Sequence, residues 1–200
     1  MEISDNFYET NCQTFSDTRF CLWDVVRDFG EQFTSQSYVL DAGCGNGKNI
    51  SYFQNKCNMV GIDKSHGLVN ICKERNYKVE QGTIGNIDFP DNTFDFVMCI
   101  AVIHHIDTEE ARINAMKEMI RVLKPGGKIL ITAWAYESDE YSKRKKFVLG
   151  DNLVKFNNEE TMRYYFVYDR IGFNDLCNNI ISEELEISWD RGNWNAVFTK

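Results

Sequence analysis

The sequence contains little proline and no long apolar run. Two prolines and 13 glycines in 200 residues do not fit a collagen-like or low-complexity chain. The longest apolar run, 96–103, covers eight residues, whereas a membrane-spanning helix needs about 20. The first residues, MEISDNFYE, are acidic and polar, unlike a secretory signal or an arginine-rich transit peptide. We therefore expect a soluble protein of the cytoplasm without a membrane span.

The sequence also lacks the cysteine and histidine spacing that is typical of metal sites. The seven cysteines form no C-x-x-C pair, and the only histidines are His66, His104 and His105. Zinc sites and thioredoxin-type redox centres depend on such pairs. The sequence therefore predicts neither a structural metal nor a disulfide framework, and the odd cysteine count suits a reducing compartment.

The remaining composition is typical of one packed globular domain. The chain is 43% hydrophobic, 14% aromatic and 26% charged, with a net charge of −8. This acidity disfavours broad, non-specific nucleic-acid binding but leaves room for a local basic face. The run Lys143–Lys146 is the best candidate for such a face, although most charge runs of this kind are simply solvated.

Strand-like and helix-like segments alternate along the chain. The nearly all-apolar segment Phe94–Ile100 is typical of a buried strand, and Asp107–Leu123 is typical of an amphipathic helix with a capped N-terminus. This alternation predicts an α/β fold with a mostly parallel sheet and helices on both faces, closed by an antiparallel terminal hairpin. The other predicted segments are a helix over 12–33 and strands at Tyr38–Asp41, Asn58–Asp63, Tyr77–Gln81, Lys128–Thr132, Ile180–Trp189 and Asn193–Thr199.

A glycine-rich loop follows the first predicted strand. Gly43, Gly45 and Gly47 stand at alternate positions before a helix, where glycine lets the backbone turn sharply and approach a ligand. Asp63 ends the next predicted strand. An acid at this position can accept hydrogen bonds from the ribose hydroxyls of an adenosine cofactor. The third glycine comes one residue too early for a dinucleotide loop, and no triphosphate-binding G-K-[ST] follows. Asp41, on the strand side of the loop, suits a cofactor that carries an amino group.

This D-x-G-x-G-x-G pattern resembles the S-adenosylmethionine loop of class I methyltransferases. The resemblance implies a Rossmann-like, seven-stranded fold and S-adenosylmethionine as the cofactor. The family usually has an acid near the cofactor's adenine five residues before Pro90, where this chain has Gly85 with Asn86 beside it. The cofactor-binding residues implied are Asp41, Gly43, Gly45, Gly47, Asp63, Lys64, Asn86 and Ile100.

Three further segments narrow the family. They are 15–23 (FSDTRFCLW), 100–106 (IAVIHHI) and the pair 163–165 (RYY) and 189–194 (WDRGNW), with 133–135 (AWA) after the fifth strand. Together they resemble the tRNA wobble-uridine methyltransferases, which esterify 5-carboxymethyluridine at position 34. The likeness runs from about Phe7 to Lys200. Phe166 stands where that family tends to have histidine, and 137–157 is short.

The resemblance also implies site residues and partners. Arg19 and Arg191 would grip the substrate carboxylate, His104 and His105 would orient the uridine, and Trp134 or Tyr165 would stack the base. The full implied set is Arg19, His104, His105, Trp134 and Arg191 as catalytic, with Tyr165, Asn193 and Trp194 as substrate-binding. The implied partners are the tRNA anticodon loop and a small zinc-binding activator subunit, which we expect to dock along the edge strand Tyr77–Gln81.

One domain, 1–200, is predicted in three parts: a substrate-side N-terminal extension (1–36), a cofactor-binding core (37–135) and a substrate-side insertion with the terminal hairpin (136–200). Two other functions stay open. A small-molecule carboxylate or phenol O-methyltransferase keeps the loop and histidines and treats the arginine and tryptophan segments as core. A catalytically silent methyltransferase-fold subunit is hinted at only by Gly85.

Overall fold

A seven-stranded sheet forms the centre of the protein. The structure is a computed structural model and describes residues 7–17, 21–137, 147–155, 162–178, 180 and 185–200. The strands of the sheet are β1 Tyr38–Ala42, β2 Asn58–Asp63, β3 Val79–Gln81, β4 Phe94–Ile100, β5 Leu123–Trp134, β8 Leu185–Asp190 and β9 Asn193–Thr199. The strand order is β3-β2-β1-β4-β5-β9-β8. Strands β1 to β5 run parallel, and β9 and β8 are antiparallel.

The predicted fold class is confirmed, because the seven-stranded sheet is mostly parallel, is covered on both faces and ends in the antiparallel pair β8 and β9. A separate hairpin of β6 (Gly150–Lys155) and β7 (Met162–Val167) was not predicted. The helices are α1 Cys12–Ser16, α2 Asp24–Gly30, α3 Lys48–Phe53, α4 His66–Glu74, α5 Glu109–Val122 and α6 Arg170–Asn178, with a 3-10 turn at Ile103–His105.

Two apolar layers cover the sheet. Met116 of α5 and Phe173 of α6 pack on one face, and Phe29 of α2, Ile50 of α3 and Val69 of α4 pack on the other. Alternation along a strand sends successive side chains to opposite faces, and so β strands with both faces covered are nearly all apolar. This packing explains why Phe94–Ile100 was recognisable as a buried strand.

Several predicted boundaries are wrong. Strand β5 spans Leu123–Trp134 rather than Lys128–Thr132, and helix α5 begins at Glu109 rather than Asp107. The single helix over 12–33 is two short helices, α1 and α2, and residues 21–23 between them are not helical. Strand β3 begins at Val79 rather than Tyr77, because Tyr77 packs against Gly47 instead of extending the sheet edge. Strand β8 spans Leu185–Asp190, and residue 180 lies in a turn. The division into three parts stays a prediction.

The topology gathers the loops that follow β1 to β5 at one edge of the sheet. Ligands of such folds bind outside the carboxyl ends of the parallel strands. The glycine loop, Asp63 and the histidine turn all follow these strands directly. The hairpin turn between β8 and β9 reaches the same edge, since Trp134 at the end of β5 pairs with Asn193.

Candidate active site

The glycine loop has a backbone shape that only glycine adopts readily. Gly43, Gly45 and Gly47 have φ of +82°, +57° and +76°. Close approaches add a second requirement, because a Cβ on Gly43 would lie 2.4 Å from Val102 and one on Gly47 would lie 2.5 Å from Tyr77. The predicted loop is therefore a tight cradle with its turn packed on neighbouring elements.

Asp63 is tied to this loop. Its Oδ2 accepts from the backbone N–H of Gly45 at 2.8 Å, and its Oδ1 accepts from that of Ser65 at 2.9 Å. Burial raises the pKa of the Asp63 carboxyl, and the backbone N–H donors partly oppose the rise. Each carboxyl oxygen retains a further lone pair, so the group can still accept from a pair of hydroxyls.

Asp41 is fully buried beneath the loop. Burial raises the pKa of this carboxyl to about 7, although Asn49 and Lys48 act to lower it. Asn49 Nδ2 lies 3.3 and 3.2 Å from the two Asp41 oxygens, while Asn49 Oδ1 is buried and has no hydrogen-bond partner among the described residues. A buried acid beside an unused acceptor oxygen fits an ammonium group, which carries three donors and one positive charge.

The other predicted cofactor residues lie at the rim of this cradle. Lys64 is exposed next to Asp63, and Ile100 ends β4 with 9% of its surface exposed. Asn86 is exposed in the loop after β3, where it forms a bridge with Thr83. A Cβ on Gly85 would meet nothing nearer than 3.6 Å, so the glycine is not required there by packing. The glycine loop, Asp41 and Asp63 therefore fit S-adenosylmethionine, and the role of Asn86 near the adenine stays a prediction.

The N-terminal segment lies across the cradle. Glu9 Oε2 accepts from Ser65 Oγ at 3.0 Å and from the Gly67 backbone N–H at 3.3 Å. Asn46, within the glycine loop, donates to the Ser16 carbonyl at 3.1 Å. Sequence reasoning missed these contacts, because residues about 30 and 57 positions apart meet through them.

The two histidines have different hydrogen bonds. His104 Nδ1 accepts from the Trp134 backbone N–H at 3.1 Å, so its proton is on Nε2. His105 Nδ1 lies 2.9 Å from the Tyr164 carbonyl and must donate to it, which leaves Nε2 to accept from the Tyr8 hydroxyl at 2.8 Å. Burial, together with the charge of nearby Arg163, lowers the pKa of His105 to about 4, although the hydrogen bond to the Tyr164 carbonyl opposes this shift. His105 is therefore neutral at physiological pH.

Aromatic rings surround the histidines. Trp134 and Tyr165 stack with centroids 3.9 Å apart and 8° between planes, and both histidine rings contact Tyr165. Tyr165 is only 1% exposed, whereas Trp134 is half-buried. Of the two predicted stacking residues, Trp134 is thus the more exposed one, and Phe147 also lies against its ring at 4.9 Å. Buried Arg163, which the prediction left out, lies over the rings of Phe7 and Tyr165.

The predicted carboxylate grip is not assembled by the described residues. Arg191 is 72% exposed at its side chain and pairs with Asp24 at 3.0 Å, so it lies on the surface rather than in a dry pocket. Arg19 lies outside the described residues, as does the run Lys143–Lys146. Asn193 stands beside Trp134, with its Nδ2 donating to the turn carbonyls of Asp190 and Arg191.

The substrate-binding role predicted for Trp194 stays a prediction. Trp194 packs on the α5 and α6 face of the sheet, 7% exposed, and its Nε1 donates to Glu137 at 2.9 Å. Neighbouring residues of a strand point to opposite faces, so Asn193 and Asn195 take the other face. Asn195 was missed, although a polar residue inside an otherwise apolar strand is a signal that could have identified it.

Among the described residues, no group of three histidine, cysteine or acidic side chains is placed to hold a metal ion. No helix built from them is long and apolar enough to cross a bilayer.

Comparison with known proteins places this geometry in context. Residues 40–131 match a family model described as a methyltransferase domain. The chain is 39% identical over 200 residues to a putative methyltransferase of Encephalitozoon cuniculi, covering 97% of this chain and 93% of that one. It is 41% identical over 135 residues to the tRNA (carboxymethyluridine(34)-5-O)-methyltransferase of Arabidopsis thaliana, covering 68% of this chain but only 33% of the plant protein.

A solved structure shares the fold. It is a complex between the Haloferax volcanii Trm112 methyltransferase activator and a putative methyltransferase, matched with a TM-score of 0.65 at 13% identity over 98% of this chain and 95% of that one.

Proposed function

The chain belongs to the class I methyltransferases, which use S-adenosylmethionine, and from this premise we propose that it methylates the carboxylate of 5-carboxymethyluridine at the tRNA wobble position. The product would be 5-methoxycarbonylmethyluridine. The observation that carries the proposal is the 41% identity to a protein named for that reaction. Because the chain spans about a third of that relative's length, its substrate and partners are part of the proposal.

Different residues around the glycine loop bind different parts of the cofactor. Asp63 accepts from the ribose hydroxyls, and Asp41 with Asn49 takes the ammonium group. The alternating glycines let the loop backbone lie close to the ligand. When bound, S-adenosylmethionine supplies a methyl group activated by an adjacent sulfonium charge. The exposed loop at Gly85 and Asn86 lies by the adenine.

The chain needs no general base for this substrate. A carboxylate is ionised near neutral pH, so the protein has to align it and exclude water. His104 and His105 suit this task, because both are neutral and have their rings oriented by Trp134 and by Tyr8 and Tyr164. Neutral histidines neither compete with the carboxylate for a proton nor hold it too tightly to react.

Arg19 is the proposed counter-charge of the carboxylate, and Arg191, which is exposed and paired with Asp24, is the second candidate. Arg19→Ala should leave titration with S-adenosylhomocysteine nearly unchanged, because this residue lies outside the glycine loop. Activity should fall steeply, since the carboxylate loses its charge partner and its alignment. Arg19→Lys controls for charge without the planar fork. A folded Arg19→Ala protein with wild-type activity would assign the grip to another cation.

A partner along β3 is part of the proposal. Strand β3 is the outer strand of the sheet, and its Glu80 and Gln81 are exposed. Such an edge accepts an added strand through backbone hydrogen bonds. A structural neighbour is solved with a methyltransferase activator, which supports the expectation of a small zinc-binding activator subunit. That subunit would add surface for tRNA to an acidic chain.

The test is methyl transfer to defined tRNA. Protein, activator, labelled S-adenosylmethionine and tRNA bearing 5-carboxymethyluridine should give a methyl ester that alkali removes. Unmodified tRNA is the control, because it lacks the carboxylate. Activity that survives ribonuclease treatment of the substrate pool would favour a small-molecule O-methyltransferase. Failure to bind S-adenosylhomocysteine, with and without activator, would favour a silent subunit.

A further inference from the structure

One face of the sheet becomes polar as β5 and β9 approach the ligand-binding edge. Lower on this face, Leu130 and Val197 pack into the apolar layer beneath α2. Closer to the ligand-binding edge, Thr132 of β5 lies opposite Asn195 of β9. At the edge itself, Trp134 of β5 lies opposite Asn193 of β9. Alternation therefore places Asn195, Asn193 and Trp134 on one face, next to the histidine turn.

Asn195 carries a buried amide that is not satisfied. Its side chain is 1% exposed, and within the described chain neither Nδ2 nor Oδ1 has a hydrogen-bond partner. Asn193 Oδ1 is likewise buried and without a partner. Buried polar atoms are nearly always hydrogen-bonded, because leaving them unpaired costs free energy. Two such residues side by side at a ligand-binding edge therefore indicate a binding site.

The cofactor does not account for these atoms. Strand β9 is three strands from β1, which carries the glycine loop. At a spacing of about 4.8 Å per strand, the separation is roughly 14 Å. The end of β4 and the Trp134 ring are closer, and they lie where the substrate of the proposed reaction is expected. The unsatisfied amide therefore belongs to the substrate side.

The unpaired donor and acceptor of the Asn195 amide indicate the chemistry of the ligand. An amide offers one donor group beside one acceptor. A carboxylate presents acceptors only, so it would leave Asn195 Oδ1 unmatched. The imide edge of uracil presents its N3–H donor next to a carbonyl acceptor and satisfies both atoms. The match holds for either orientation of the amide, because N3–H has a carbonyl on each side.

We propose that Asn195, with Asn193 beside it, binds the N3–H and adjacent carbonyl of the target uracil ring and so determines base specificity. This inference rests on the proposed function and adds to it the group that reads the base. A bidentate contact of this kind discriminates between bases by about tenfold to a hundredfold.

The variant that tests this is Asn195→Leu, which keeps the branching and the atom count of the side chain. Because the amide is unsatisfied without ligand, its replacement should leave the melting temperature unchanged or raised. Tyr168→Phe is the matched control. Its hydroxyl is also buried without a partner in the described structure, but it lies on the opposite face of the sheet. Removal of that hydroxyl should leave RNA binding and activity unchanged.

Two RNA probes complete the experiment. Both are anticodon stem-loops with 5-carboxymethyluridine at the wobble position, and one carries a methyl group on N3 of that uracil. With S-adenosylhomocysteine and activator present, wild-type protein should bind the N3-methyl probe about tenfold to a hundredfold more weakly. Asn195→Leu should bind both probes equally and weakly, while its affinity for S-adenosylhomocysteine stays at the wild-type value.

The outcomes separate this inference from the proposed function. Asn195-dependent discrimination without methyl ester formation supports the uracil site and rejects the proposed reaction. Ester formation with equal binding of both probes by wild-type protein rejects the uracil site alone. Loss of stability in Asn195→Leu without loss of discrimination assigns the amide to a buried structural water and overturns the inference. If neither probe binds wild-type protein, uracil is not the ligand and the inference fails.

Discussion

Asp41 is a buried acid whose titration reports on the cofactor. In the free protein the pKa of its carboxyl is raised from an ordinary 3.8 to about 7 by burial. The folded state therefore holds a proton that the unfolded state has lost, and this group's contribution to stability falls as pH rises from about 4 to 7. A bound ammonium would favour the ionised form and lower the pKa again.

We expect cofactor binding to release a proton through Asp41. Calorimetric titration with S-adenosylhomocysteine near pH 6.5, in buffers of different ionisation heat, should show a release of up to one proton. Affinity should rise with pH until about 7. Asp41→Asn removes the titrating group and should abolish the buffer dependence. A binding heat that does not depend on the buffer in wild-type protein would contradict the assignment of Asp41 to the ammonium.

Asp63 should contribute to cofactor affinity in two ways. Asp63→Ala removes the ribose acceptor and also the group that holds the Gly45 and Ser65 backbone N–H donors. Charge-assisted hydrogen bonds are worth about 1.5–3 kcal/mol, so titration should show a loss of about tenfold to a hundredfold. Asp63→Asn retains one acceptor oxygen and should lose less. Asp95→Asn, near the start of β4 and away from the ligand-binding edge, is the control that should leave affinity unchanged.

Among the structural elements, the glycine loop offers a comparison between two neighbouring positions. An alanine at either Gly43 or Gly45 adopts a left-handed backbone, which costs about 1–2 kcal/mol. At Gly43 the new Cβ also lies 2.4 Å from Val102, whereas at Gly45 its nearest neighbour is Phe15 at 3.6 Å. Gly43→Ala should therefore destabilise the protein more than Gly45→Ala in urea unfolding.

A second substitution tests the cause. Val102→Ala removes the colliding methyl groups, so it should recover part of the stability lost in Gly43→Ala and none of that lost in Gly45→Ala. Equal behaviour of the two double variants would show that backbone strain, rather than packing against the histidine turn, makes Gly43 necessary.

At the scale of the whole molecule, the net charge of the chain is negative, like that of its proposed tRNA substrate. A net charge of −8 repels tRNA at a distance, so the chain alone should make few phosphate contacts. The dependence of binding on salt measures how many phosphates are neutralised. The plot of log affinity for tRNA against log salt should therefore be steeper with the activator than without it. Equal slopes would mean that the activator adds no phosphate contacts.

Much of the fold and the cofactor cradle follows from local sequence. Strands Asn58–Asp63, Phe94–Ile100 and Asn193–Thr199 were predicted with their observed bounds. Each is a run whose apolar pattern depends only on its own residues. The helix over 12–33 was not predictable in the same way, because an aromatic-rich stretch is equally compatible with two short helices that pack on different neighbours.

The sequence by itself determined the parallel core, the glycine loop and the acid that pairs with it, because backbone sterics and strand periodicity act over a few residues. Only the tertiary structure decided the state of the side chains around them. Tyr8 meets His105 across 97 positions, Arg191 turns to Asp24 on the surface, and Asn195 is buried with its amide unmatched. Hydrogen bonding and burial of these groups depend on which distant segments pack together, and no local pattern encodes that.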